Sequence, residues 1–513
     1  MRTTKTSRQV KKTVFLLAIA IAVGACTGRQ ATSTEGGHAD SDSVARQPSI
    51  EELTLPDTSY ASANAIFYRI DVQDSLPALL ANYDDPYEEA GSVLTFRKNL
   101  RRNADYGGRV AGTPTAIEVT WRFDTERNLT QTRFGVWEGG SGWTGQPLYK
   151  DGTIIVGSLC GKVYFIDYNT GKAKAEPLDA GNVVKGTVSM DPELRNLYVG
   201  QGVPLSSDRP FGCQVFDLDK HQRTCFFGPD KQAWRGWGAF DSSPIVAGGY
   251  LFWPGENGSL YKFRRQQGRI EPVSVLRYRV GGMAPGIESS LCAYRNYGFF
   301  SDNRGNVICV NLNTMRPVWH FDNHDDSDGT IVCREEQGKP YLYTACEVDK
   351  QGDSGTCHFV KLDALTGTMV WERNIACQRF ILPEKTLDGG MYATPLLGSG
   401  DCEGMVFANI CRNKASQHRG ELTAISTADG SICYTVGYDM FAWSSPIAFL
   451  NEENEMFVFT GDAAGNVYLI RGKTGEVLCK QHVANNFESS PIAIGNTAVV
   501  GSRGNGIYKL TIK

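Results

Sequence analysis

The sequence predicts an all-β fold, an eight-bladed β-propeller of four-stranded antiparallel blades in which an N-terminal strand pairs with the C-terminal blade. Three observations predict it. The stretch from Trp443 to Cys479, WSSPIAFLNEENEMFVFTGDAAGNVYLIRGKTGEVLC, breaks into four short apolar runs separated by turn residues. Near-copies of this unit recur to the end of the chain, and repeats of such a length signal propellers or solenoids. The last copy has only three runs, and a run of the missing kind stands ahead of the first copy.

Taken in order, residues 1–25 carry Lys5, Arg8, Lys11 and Lys12, then the apolar run VFLLAIAIAVGA, then Cys26. This pattern is an export signal whose apolar core is too short for a resident membrane helix. The sequence Val23-Gly24-Ala25-Cys26 resembles the lipobox of bacterial lipoproteins, which implies lipidation of Cys26 as the first mature residue. Thr27 after the cysteine implies transfer to the outer membrane. From there to about residue 60 small and polar residues predominate, as in a disordered tether, with a random-coil reach of roughly 30 Å. In the extension 61–110, AIFYRI and SVLTF read as strands, PALLANY as a short helix and FRKNLRRNADYGGR as a basic connector. Lys98, Arg101 and Arg102 of that connector read as a solvated face, with contact to lipid phosphates or a partner as the alternative.

The propeller is expected over 111–513. Its blades open on small residues at Thr144, Gly186, Ser242, Ser289, Gly329, Ala393, Ser444 and Ser489, spaced by 40 to 64 residues. Most openings lead into an apolar strand and a Gly-bearing turn, as in TIIVGSLCGKVYFIDYNTG and YGFFSDNRGNVICVNLNT. The final unit runs PIAIG, TAVVG and GIYKLTI and then ends. IEVTWRF around Trp121 has the Trp-bearing form of MVWERN and PVWHFD, so it supplies the absent outer strand and removes the open edges of a linear stack.

The segment VKLDALTGTMVW, Val360 to Trp371, matches the Asp-x-x-Thr-Gly-x-x-x-Trp repeat of the quinoprotein-like propellers, and FIDYNTGK and KTGEVL match it in part. FRKNLRRNADYGG resembles the lead-in that these proteins carry. The resemblance covers about residues 96–513 and speaks for fold, not activity. In the repeat, Gly367 can take positive φ, Asp363 can accept from the turn amides, and Trp371 packs between blades. With the lipobox and tether, the chain is similar to the BamB-type lipoproteins, propeller subunits of the outer-membrane β-barrel assembly machine. That resemblance implies an outer-membrane, lipid-anchored position facing the periplasm and a scaffold role without catalysis. A PQQ-dependent oxidoreductase is the alternative within the family. Many of its alcohol-oxidising members carry adjacent cysteines over the quinone and a calcium beside an Asp; this sequence has no adjacent cysteines, and only Asp241 stands where such a group would lie.

Other chemistry is thin. HDDSDG, His324 to Gly329, resembles half of a calcium loop but begins with His and has no Glu at the twelfth position, so it reads as a solvated acidic loop. The seven histidines show no ligand spacing for zinc. No metal and no cofactor is expected. Fourteen cysteines, one of them Cys26, leave an odd number in the body, and in an exported chain some should pair. Cys346 with Cys357 and Cys213 with Cys225 are separated as neighbouring strands would allow, while Cys160, Cys309, Cys433 and Cys479 read as plain core thiols. A net charge of −4 gives no reason to expect nucleic acid as a partner.

The loops entering the opening strands converge on one end of the channel and are rich in aromatics and arginine, the types that anchor interfaces. Trp234, Arg235, Trp237, Asp241, Met391, Tyr392, Phe441, Trp443, Phe487 and Glu488 are the expected partner-binding residues. The alternative is that they plug the channel or pack between blades. The function expected is a scaffold that docks an envelope protein, with an outer-membrane β-barrel protein as the candidate, through this face, strand addition being one mode. A propeller sensing a glycan or small ligand is the competing class.

Overall fold

The structure, a computed structural model, describes residues 60–513 apart from 74–79, 81, 90, 105, 144, 382–385 and 415–418. The export signal, Cys26 and nearly all of the tether lie outside the described residues, as does most of PALLANY. The described chain is all-β, with eight sheets arranged as propeller blades. Their innermost strands, for blades 1 to 8, are Leu148–Lys150, Ser189–Met190, Ile245–Ala247, Cys292–Tyr294, Val332–Glu336, Leu396–Leu397, Ile447–Leu450 and Ile492–Ile494. Each follows one of the small-residue openings. From each the chain steps outward through antiparallel neighbours, as from Ile447–Leu450 through Met456–Gly461 and Asn466–Arg471 to Val477–His482. The middle strands are apolar without alternation because neighbouring blades cover both of their faces.

In blade 8 the outermost strand is Ile117–Asp124, antiparallel to Gly506–Ile512 with Ile117 opposite Ile512. Its Trp121 does what the fourth-strand tryptophans of other blades do. Trp121, Trp319 and Trp371 each donate their indole N–H to a carbonyl in a turn of the next blade, at Tyr168, Ala364 and Thr427, over 2.9 to 3.0 Å. The glycine of that turn lies under the ring: a Cβ built on Gly171, Gly367 or Gly430 would sit 2.6 to 2.7 Å from the indole. These glycines also have φ near +70°. The repeat therefore needs Gly twice, once for the backbone and once for the tryptophan. In the same turn Asp363 Oδ1 accepts from the amides of Leu365 and Thr366.

A second device joins the blades near the axis. The amides of Gln146, Ser243, Ser290, Thr394 and Ser445 each donate to the opening hydroxyl of the next blade, Thr187, Ser290, Thr330, Ser445 and Ser490 respectively. The amide of Ser490, in blade 8, donates to the Gly145 carbonyl leading into blade 1. The recurring Ser-Ser-Pro is thus an inter-blade bond written into the sequence.

The axis itself is filled by residues 92–110, which take in SVLTF and the segment read as a basic connector. It touches the inner edge of every blade. Val93 bridges Tyr149 in blade 1, the Leu94 carbonyl accepts from Met190 in blade 2, and the Thr95 hydroxyl donates to Pro244 in blade 3. The carbonyls of Leu100 and Arg101 accept from Ala293 and Cys333 in blades 4 and 5. Gly108–Arg109 pairs in parallel with Phe449–Leu450 of blade 7, and the Arg109 amide donates to Gly495 of blade 8. Arg97 completes the set, donating to Pro395 of blade 6 and Pro446 of blade 7 at 3.1 and 2.9 Å.

Several expectations are corrected by this arrangement. Arg102 is not on a solvated face: it is fully buried and its guanidinium donates to the carbonyls of Leu291, Phe96 and Ser243. Only Lys98 and Arg101 remain half exposed. SVLTF makes a single bridge and not a strand, whereas AIFYRI is a strand, Ile66–Val72, added outside Arg269–Val280 of blade 3. The expected disulfides are absent among the described residues, where all thirteen cysteines carry free thiols. Cys346 Sγ instead accepts from the His358 amide, and Cys225 donates to the Ile270 carbonyl.

Candidate functional site at the channel mouth

The residue immediately before each opening pair faces the mouth of the channel. In blades 2 to 8 these residues are Lys185, Asp241, Glu288, Asp328, Tyr392, Trp443 and Glu488. Blades 2 to 5 thus contribute one lysine and three carboxylates, and blades 6 and 7 contribute aromatics. Phe96 of the axial segment, Trp143, Asp241, Glu288, Asp328, Tyr392 and Trp443 line a small pocket there.

Three further carboxylates join the acidic arc. Asp241, Glu256 and Glu288 have carboxylate oxygens within 4.8 Å of one another, and so do Asp326, Asp328 and Glu347. Lys185 is the buried cation among them, paired with Asp241, 3.7 Å from Glu288 and 4.4 Å from the Trp143 ring centre. Burial alone would lower its pKa, but Asp241, Glu288 and Glu256 outweigh that and raise it. The carboxyls respond in the opposite sense. Burial, followed by repulsion from its acidic neighbours, raises Glu256, Asp328 and Glu347 well above the usual range. Glu288 is raised too, burial again leading, against the pull of Lys185. Glu256 is only 3% exposed and its Oε1 has no hydrogen-bond partner. Lys185 and, at the outer side of the arc, Lys350, 2.9 Å from Asp326, thus face six carboxyls, so acidic groups outnumber cations there.

The aromatic arc is packed against itself. Tyr392 stacks on Trp443 at 4.7 Å and 28°, while Trp143 meets Trp443 edge-on at 5.1 Å. The space left between the arcs is about 20 Å³, room for one water-sized occupant. Small-molecule sites typically occupy about 300–1,000 Å³. A planar multi-ring quinone does not fit here, because the faces on which it would stack are occupied by each other.

Of the ten residues expected to bind a partner, Asp241, Met391, Tyr392, Phe441, Trp443, Phe487 and Glu488 are buried, and Trp234, Arg235 and Trp237 are half exposed. Glu488 pairs with Arg503 at 3.0 Å. Trp237 packs against Phe134 and Phe211 on the rim of blades 2 and 3, and Trp234 stacks on Phe67 of the added strand. Arg235 donates to the Glu256 carbonyl at 3.1 Å and borders the acidic arc. Sequence reading found Asp241 but missed Glu256, Glu288 and Glu347, and it took HDDSDG for a solvated loop, whereas Asp325 is buried and Asp326 and Asp328 are half buried in the arc. Glu288 and Asp328 had a signal, since they stand at the same offset from an opening pair as Asp241.

No known protein family matches the sequence, and no curated protein does. Solved structures match the fold. A quinohemoprotein alcohol dehydrogenase from Pseudomonas putida HK5 is 13% identical with a TM-score of 0.58, over 85% of this chain and 83% of that one. A europium-containing methanol dehydrogenase is 12% identical with a TM-score of 0.56, over 83% of this chain and 99% of that one. BamB from Moraxella catarrhalis is 13% identical with a TM-score of 0.50, over 78% of this chain and 98% of that one. The fold is therefore that of the PQQ-repeat propellers, BamB among them. The expectation of a chain outside the enzymes is overturned by the dehydrogenases among these neighbours, although at such identity the likeness carries fold and not activity. No described helix is long and apolar enough to cross a membrane.

Proposed function

We propose that the chain is a lipid-anchored envelope propeller that docks a protein partner at the mouth of its channel, in a role of the BamB kind at the periplasmic face of the outer membrane. The observation that carries this reading is the asymmetry of the axis. Residues 92–110 fill the channel with the chain's own backbone, whereas the mouth keeps an acidic arc beside an aromatic one. With room for one water-sized occupant, the mouth is better suited to a surface contact than to enclosing a quinone or a sugar. Carboxylates beside indole faces favour a partner segment that presents lysine or arginine.

The experiment is crosslinking in intact cells followed by purification of the tagged full chain. An envelope protein should be recovered with the native chain, and its yield should fall at least tenfold for the double variant Glu288→Gln, Asp328→Asn. Both replacements keep the volume of the side chain they replace, so the fold should stay intact. Equal recovery with the variant, or a purified chain that carries a quinone or sugar and no protein, would refute the proposal.

A further inference from the structure

The histidines have no metal-site spacing in sequence, yet the fold gathers two of them with a carboxylate in a group that shares no residue with the acidic mouth cluster. His324 lies in the loop after Pro317–Asp322, the outer strand of blade 4. His358 is on Ser354–Asp363 and Glu372 on Met369–Gln378, neighbouring strands of blade 5. One donor atom from each of the three lies within 4.8 Å of the other two. His358 Nδ1 is 2.6 Å from Glu372 Oε1, and the two imidazole centres are 4.3 Å apart at 48°. His358 and Glu372 are half buried and His324 is exposed, so the group opens to solvent on one side.

The loop holds His324 in the left-handed region. Its φ is +71°, and its amide donates to Asp322 Oδ1 at 2.9 Å. A side chain other than glycine in this region costs about 1 kcal/mol or more, and surrounding structure must hold it there. What the conformation achieves is to bring the His324 ring against His358. A plain ion pair between His358 and Glu372 would need no third residue.

We propose that His324, His358 and Glu372 form a binding site for a divalent transition-metal ion, zinc by the chemistry of the donors. Two imidazoles and a carboxylate are the borderline set that zinc prefers over calcium or magnesium, which take oxygen. Zinc binds such atoms at about 2.0–2.2 Å, so tetrahedral neighbours stand about 3.4 Å apart. The close His358–Glu372 pair has to part by about 0.8 Å and the wider pairs have to draw in by up to about 1.4 Å, shifts within the range of side-chain rotation. Three protein ligands leave a fourth position for water, and the ion would clip the loop carrying His324 to blade 5.

The test uses the full-length chain in detergent, purified without a histidine tag and stripped with chelator. Titration with Co2+ should give one ion per chain and a visible absorption band of tetrahedral type that Zn2+ displaces. His324→Ala and His358→Ala should each weaken binding at least tenfold, and Zn2+ should raise the melting temperature of the native chain but not of His324→Ala. Because His324 is exposed, that variant should fold, and its far-ultraviolet circular dichroism checks this. Failure of the native chain to bind either ion would overturn the proposal. Binding that both alanine variants retain would overturn it equally, placing the ion elsewhere, such as the acidic mouth.

Discussion

At the residue scale, the two arginines of the axial segment are the most exacting feature of the molecule. Arg97 and Arg102 are fully buried, and their guanidiniums donate to backbone carbonyls and the Thr95 hydroxyl, with only Arg97 Nε left unpartnered between them. Burial lowers Arg102 to about 10, which still leaves it charged at neutral pH. Removing either one strands inward-facing carbonyls of two blades. Arg97→Ala should therefore cost about 3–4 kcal/mol in urea unfolding, while Lys98→Ala next to it, half exposed, should cost less than about 1.

A buried carboxyl yields a pH prediction at the same scale. Asp302 is fully buried, and burial raises it to about 6 despite hydrogen bonds from Tyr278, Asn306 and the turn amides that favour its charged form. Its folded value is above its unfolded one, so the folded state holds the proton more tightly. The associated stability is complete below about pH 4 and is lost as pH rises through about 6. The loss is roughly 3 kcal/mol. Asp302→Asn should remove this component, so that the difference in unfolding free energy between the native chain and the variant changes between pH 4 and pH 7. A difference that stays constant across that range would contradict the assignment.

At the scale of elements, the blade is held by contacts that sequence partly displays. Gly367 combines φ of +70° with a Trp319 ring 2.6 Å from where a Cβ would stand. Gly338 has a similar φ, +79°, in a hairpin turn with nothing within 4 Å. Gly338→Ala should cost about 1 kcal/mol for the backbone alone. Gly367→Ala should cost about 3, because the indole must move as well. Equal melting shifts would mean that the tryptophan does not seat on the turn.

The blades were legible because each opening repeats the same small residues for one physical reason, the hydroxyl that accepts from the preceding blade. Trp121 was legible as a fourth-strand residue for a similar reason. The axial segment was not. Arg97, Lys98, Arg102 and Ala104 all have positive φ, a conformation that none of these residue types announces. Its run of basic residues resembles a solvated surface, and only the ring of carbonyls around it makes burial of a guanidinium tolerable. The mouth was half legible. Tyr392 and Trp443 were found, but as contact residues and not as rings packed against each other.

At the scale of the whole molecule, the chain is a ring whose axis is occupied by its own N-terminal approach. That gives the propeller two unlike ends. One is covered by residues around Asn103 and Arg109, which line a surface depression with Leu396 and Leu450. The other is the mouth, with six carboxyls, one buried lysine and a wall of aromatics. The thiols fit the same picture, since ten of the thirteen cysteines are buried and act as small apolar side chains in the blades.

The most direct test of this asymmetry is site-specific photo-crosslinking in intact cells. A photoreactive amino acid replaces either Lys350, which borders the mouth through Asp326, or Asn103 at the covered end. The account predicts a covalent adduct with an envelope protein from position 350 and none from position 103. Adducts from position 103 alone, or from neither position, would contradict it.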